Sequence, residues 1–151
     1  CAAIDTDKVG SEYAVDACRL GVYPYIYWAG DVDAVYPKVK DGFVVAKSDL
    51  KKTLEEKLTT IGLSAKETRD MMEYWYPYLL KKDFAYYRLT FLQNKEMNSF
   101  IPMNVSPRPD TVLRVFLDWE GLDHAKVINP QVLQHIERKG FTLVEWGGLK
   151  K

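Results

Sequence analysis

Few of the residue groupings that carry chemistry are present in this chain. Of its 151 residues only two are histidine and two are cysteine. A zinc site draws three or four ligands and a supporting shell of hydrogen bonds. Neither His124 nor His135 has a second ligand at helical or turn spacing. No serine sits in a Gly-X-Ser-X-Gly elbow, and Cys18 has no neighbouring base, so nucleophilic catalysis has no local signature. No glycine-rich loop is present to cradle a phosphate. No cofactor is expected on these grounds. An excess of one charge is missing too: 21 Lys and Arg balance 21 Asp and Glu. A nucleic-acid or anionic-membrane surface needs a basic excess, so neither partner is expected. No apolar run approaches the roughly 20 residues of a membrane span, and no transmembrane segment is expected. Repeats, low-complexity tracts and linkers rich in Gly, Ser or Pro are absent as well.

What remains suits one domain. Apolar residues make up 47% and charged residues 28%, the balance of an ordinary globular chain. Residues 1–18 carry little patterning and are set apart from a single domain over 19–151. Residues 20–28 (LGVYPYIYW) read as a strand that Pro24 demotes to an edge or a bulge. Residues 42–46 read as a second strand. The period then changes. Ser48 is a candidate N-cap, and Leu50, Leu54, Leu58 and Ile61 recur at helical spacing before Gly62. Ser64 and Glu67 match a capping box, with Met71, Met72 and Trp75 as the apolar stripe and Pro77 as a kink or stop. The result is a helical hairpin over about 48–61 and 65–76.

Strands are expected again at 84–92, 111–120 and 141–146, with a helical turn at 95–100. A rigid Pro-Arg-Pro turn precedes the middle strand. Residues 121–139 read as loop, with a short helix after Pro130. Along 111–120 the residues Leu113, Val115, Leu117 and Trp119 form a core face. Val112, Arg114, Phe116, Asp118 and Glu120 form the opposite face, expected to point outward, with Asp118 and Glu145 paired with Arg114 or Arg88. Strands, two helices and strands again suggest an α+β fold: a mainly antiparallel sheet with the hairpin packed on one face.

Four stretches carry a resemblance. They are GFVVA at 42–46, EYWYP at 73–77, PRPDTVLRV at 107–115 and GFTLVEWGG at 140–148. In these the last two-thirds of the chain resembles a group of uncharacterised bacterial secreted or cell-envelope proteins that end in a GFTLVEWGG-like strand. The resemblance implies an exported, cell-surface or extracellular location. It implies no chemistry.

Several constellations remain to be weighed. Cys1 fits the acylated first residue of a bacterial lipoprotein, a disulfide with Cys18, or an accident of trimming. Asp5, Asp7, Gly10 and Asp16 fall at positions one, three, six and twelve of a calcium loop, but Val9 occupies a ligand position. Asp118 and Glu145 lie in late strands beside Trp119 and Trp146. If those strands are neighbours, the two acids are candidates for the carboxylate pair of a carbohydrate hydrolase. The alternative is a pair of acids held in surface salt bridges, and no catalytic set is assigned. Tyr23, Tyr25 and Tyr27 share one strand face and are candidates for stacking on a glycan. Tyr74, Trp75, Tyr76 and Tyr78 crowd one helix end. An edge strand, at Tyr25 or at Tyr86, is a candidate for pairing with a protein partner or a second copy. The expectation is a non-enzymatic structural or binding module, with glycan binding and carbohydrate hydrolysis as the alternatives.

Overall fold

Local sequence signals build the helical layer. Helix α1, Leu50–Ile61, buries Leu50, Leu54, Leu58 and Ile61 and turns its lysines and glutamates outward. A 3₁₀ turn, Lys47–Asp49, precedes it. Ser48 is therefore not its N-cap; Asp49 holds that place without a side-chain cap hydrogen bond. Gly62 closes α1 at φ 114°, a left-handed conformation that only glycine adopts without a Cβ clash. Helix α2, Ala65–Leu80, opens on a complete capping box between Ser64 and Glu67. Pro77 does not end it. Its ring is exposed, and the carbonyl it cannot fill, that of Glu73, lies on the exposed side of the helix.

The computed structural model describes residues 26–30 and 35–150. Its sheet has five strands: β1 (Asp41–Ala46), β2 (Tyr86–Gln93), β3 (Thr111–Leu122), β4 (Asn129–Pro130) and β5 (Thr142–Gly148), in the order β4-β1-β2-β3-β5. A third helix, α3 (Asn94–Phe100), follows β2. The fold is α+β, as expected. The sheet, however, is mixed rather than mainly antiparallel: β1–β2 and β2–β3 are antiparallel, while β1–β4 and β3–β5 are parallel.

The route between β3 and β5 is the reason. After β3 the chain returns to the starting end of β1, where β4 pairs with Asp41 and Gly42. It then crosses that end of the sheet as an extended strap, residues 131–139, in place of the short helix expected after Pro130. The strap delivers β5 beside β3 at the end where β3 itself begins, with Thr142 opposite Thr111. Side-chain amides hold the strap. Gln131 pairs with both the N–H and the C=O of Phe91, at 2.9 and 2.7 Å. Gln93 does the same to the backbone of Gln134, at 2.7 and 2.9 Å. The Ile136 N–H donates to the Ile61 carbonyl at 3.0 Å, and Arg138 donates to the Gly62 carbonyl and the Glu67 carboxylate.

Both faces of the sheet are covered. On one, Tyr87, Leu89, Phe91, Leu113, Val115, Leu117 and Trp119 pack against α1 and α2, and Leu133 and Ile136 of the strap close the end. On the other, Leu92 joins Met97 and Phe100 of α3, with Tyr36, Val39, Ile101 and Phe116 packed around them. The face of β3 expected to meet water is thus an inner face. Residues 26–28 of the expected first strand are not in a strand, and 20–25 lie outside the described residues.

Candidate functional site

The second face of the sheet carries two ion pairs. Asp118 sits opposite Thr90 on β2 and is only 3% exposed. Its carboxylate accepts from the Arg88 guanidinium and, at 2.7 Å, from the Tyr36 hydroxyl. Arg88 also donates to the Thr90 hydroxyl at 2.8 Å and to Glu120 at 3.3 Å. The Thr90 hydroxyl donates in turn to the Asp41 carbonyl at 2.7 Å. Burial, reinforced by the hydrogen bond to Asp118, pushes the Tyr36 hydroxyl well above the usual phenol range, so it stays a donor. Glu120 accepts from Lys126 at 2.8 Å. That bond, with Arg88 behind it, outweighs burial and holds the Glu120 carboxyl below the ordinary glutamate range.

The other pair is deeper. Arg114 has no exposed surface. Its Nε donates to Glu145 at 2.5 Å, and its Nη1 donates to Asn98 at 2.7 Å and to the Ile101 carbonyl at 2.6 Å. Asn94 fixes the backbone beneath it, accepting from the Arg114 N–H and donating to the Val112 carbonyl, each at 2.7 Å. The sequence signal for this cluster was thin: an arginine among apolar neighbours on a strand apolar on both sides.

The structure therefore places Asp118 and Glu145 on one sheet face but does not join them. Glu145 is opposite Arg114, four residues along β3 from Asp118, about 13 Å at the strand rise. Of the two arginines expected as partners, Arg88 takes Asp118 and Arg114 takes Glu145, on a covered face rather than the exposed one expected. Each acid has its own arginine; the Asp118 pair is buried, and Glu145 is partly buried against the fully buried Arg114. A general acid must meet its substrate and release a proton into it. Here each carboxylate is held by a guanidinium, which neutralises its charge inside the fold.

The accessible chemistry lies at another place. The end of α2 presents Tyr74 and Tyr78, whose rings are parallel within 10° at 6.4 Å. The buried Trp75 meets both edge-on at 5.3 and 5.4 Å and fixes their orientation. Tyr78 continues edge-on to Trp119 of β3 at 6.0 Å. Lysines bracket the rings: Lys150 stands 5.4 Å over Tyr74, and Lys82 stands 5.2 Å over Tyr78. The Tyr74 hydroxyl, then Tyr27, raises the Lys150 ammonium above the ordinary lysine range, so both tyrosines lie within reach of Lys150. Tyr27 is 66% exposed, Trp28 43% and Tyr74 42%. One of the three tyrosines proposed for stacking is thus joined by a helix-borne ring that the sequence had grouped only as an aromatic crowd.

Tyr23, Tyr25, Cys1, Cys18, Asp5, Asp7 and Asp16 lie outside the described residues. Tyr86 lies on β2 at the centre of the sheet, so its strand is not an edge open to a partner. His124 and His135 are both exposed, and a ring nitrogen of His135 sits 2.9 Å from the Thr60 carbonyl. Among the described residues no cluster of three or more His, Cys, Asp or Glu could hold a metal ion, and no helix is long and apolar enough to cross a membrane. No family model, curated protein or solved structure significantly matches this chain.

Proposed function

We propose that this chain is a non-catalytic binding module of the bacterial cell surface or exterior, and that it binds glycan through Tyr27 and Tyr74. The location rests on the resemblance of its Gly-Phe-Val-Val-Ala, Pro-Arg-Pro-Asp and Gly-to-Gly end motifs to secreted and envelope proteins. The observation that carries the ligand class is the exposed aromatic surface bracketed by Lys150 and Lys82. Flat rings that show one face to water stack on the apolar face of a sugar, and hydroxyl and ammonium groups at their rim supply hydrogen bonds. The separation of Asp118 from Glu145, each held by its own arginine, supports a module over a hydrolase.

A glycan array tests this reading. The wild-type chain is expected to retain a defined set of sugars, and Tyr74→Ala and Tyr27→Ala are each expected to lose them. An array with no retained sugar, or one unchanged by both substitutions, overturns the glycan reading and leaves a purely structural role. Hydrolysis of any arrayed sugar overturns the non-catalytic reading.

A further inference from the structure

The sheet has an unpaired edge that lies inside a walled slot. β4 covers only Asp41 and Gly42 of β1. The chain then turns away into the strap, and residues 43–46 have no strand on their outer side among the described residues. Alternation identifies the groups this leaves. The Lys47 N–H donates to the Ala85 carbonyl at 2.9 Å. In an antiparallel ladder every second residue turns its N–H and C=O to the same side, so residues 43 and 45 also face β2. The N–H and C=O of Val44 and Ala46 therefore face outward.

Val44 lines a cavity of about 390 Å³, and Ala46 follows just beyond it. Phe43 of β1, Thr53, Glu56 and Lys57 of α1, and Lys126 and Val127 also line it; Glu56 is held by Lys52 and Lys126 by Glu120. The volume falls in the range of ligand pockets, about 300–1,000 Å³. The Lys57 ammonium lies 4.4 Å over the Phe43 ring and has no carboxylate partner among the described residues.

We infer that this slot takes an extended peptide from a partner protein, added as a strand to Val44 and Ala46, with an Asp or Glu side chain of the peptide set against Lys57. Three observations select this occupant. The open groups are a strand's own donors and acceptors, which another strand satisfies best. The chain already adds β4 to the same edge, so the pairing direction is established two residues away. The one charge at the slot without a carboxylate is positive. A second copy of β1 fits less well, because it would bring its own α1 and residues 126–128 against these walls.

The test is a titration of isotope-labelled protein with a pool of acetylated pentapeptides of alternating Val and Thr, each carrying one Asp, followed by amide chemical shifts. Shifts are expected at residues 43–46 and 53–57, and a matched pool with Lys in place of Asp should bind about tenfold more weakly. Val44→Pro removes an outward N–H without breaking a ladder bond. It should keep the melting temperature and lose about tenfold in affinity. If Val44→Pro does not fold, Lys57→Glu replaces it, and the preference should pass from the Asp pool to the Lys pool. The inference is overturned by any of three results: no shift at the slot up to about 2 mM peptide, equal binding by wild type and the folded variant, or a dimer in sedimentation that Val44→Pro dissolves.

Discussion

Arg114 and Glu145 show how much a single buried charge depends on its partner. Removing one member of such a pair leaves the other uncompensated in a low dielectric, at a cost of about 3–5 kcal/mol. Glu145→Ala should therefore destabilise the fold by about that much in urea titration, whereas Lys126→Ala, which loses an exposed pair with Glu120, should cost below about 1 kcal/mol. Glu67 sets the acid side of the pH profile. Burial alone would raise its pKa, but the Arg138 guanidinium and the Ser64 N–H and hydroxyl outweigh it and hold the carboxyl down to about 2, from an ordinary 4.5. A depressed carboxyl stabilises the folded state above its unfolded pKa, and the gain is lost as pH falls through the folded one. Stability should thus drop between about pH 4.5 and 2, and Glu67→Gln should flatten that part of the curve by on the order of 1 kcal/mol, since the pair is partly screened. The Ser64–Glu67 box was legible because it is local. The burial of Arg114 and Asp118 was not, because strand alternation assigns a side chain to a face without saying what covers that face.

At the scale of elements, the strap at 131–139 decides the topology. Gln131 stands in for a missing strand at Phe91, so Gln131→Ala leaves a buried N–H and C=O unpaired, at about 1–3 kcal/mol for such a group. That variant should unfold at lower urea, and hydrogen exchange at the Phe91 amide should accelerate while the amides of β3 stay protected. The helices could be read from the sequence because a 3.6-residue period, a capping box and a terminal glycine all act within a few residues. The parallel placement of β5 could not. It follows from side-chain amides that meet backbone 40 and 41 residues away, and a glutamine in a loop looks alike whether it faces water or replaces a strand.

The whole molecule is a sheet closed on both sides. A helical hairpin covers one face, and α3 with residues 35–40 covers the other. Arg88, Arg114, Asp118 and Glu145 are spent in pairs inside that closure, while rings reach water at one end of α2 and at Tyr27 and Trp28. The sequence showed the aromatic abundance, but Tyr27 and Tyr74, 47 residues apart, approach the same Lys150 only through the fold. The most direct measurement is an amide and side-chain shift map recorded with the tightest-binding oligosaccharide from the array. The expected result is change centred on Tyr27, Tyr74, Tyr78 and Lys150, with Arg88, Arg114, Asp118 and Glu145 unmoved and the sugar intact. Shifts centred on those four charged residues, or cleavage of the sugar in the tube, would contradict it.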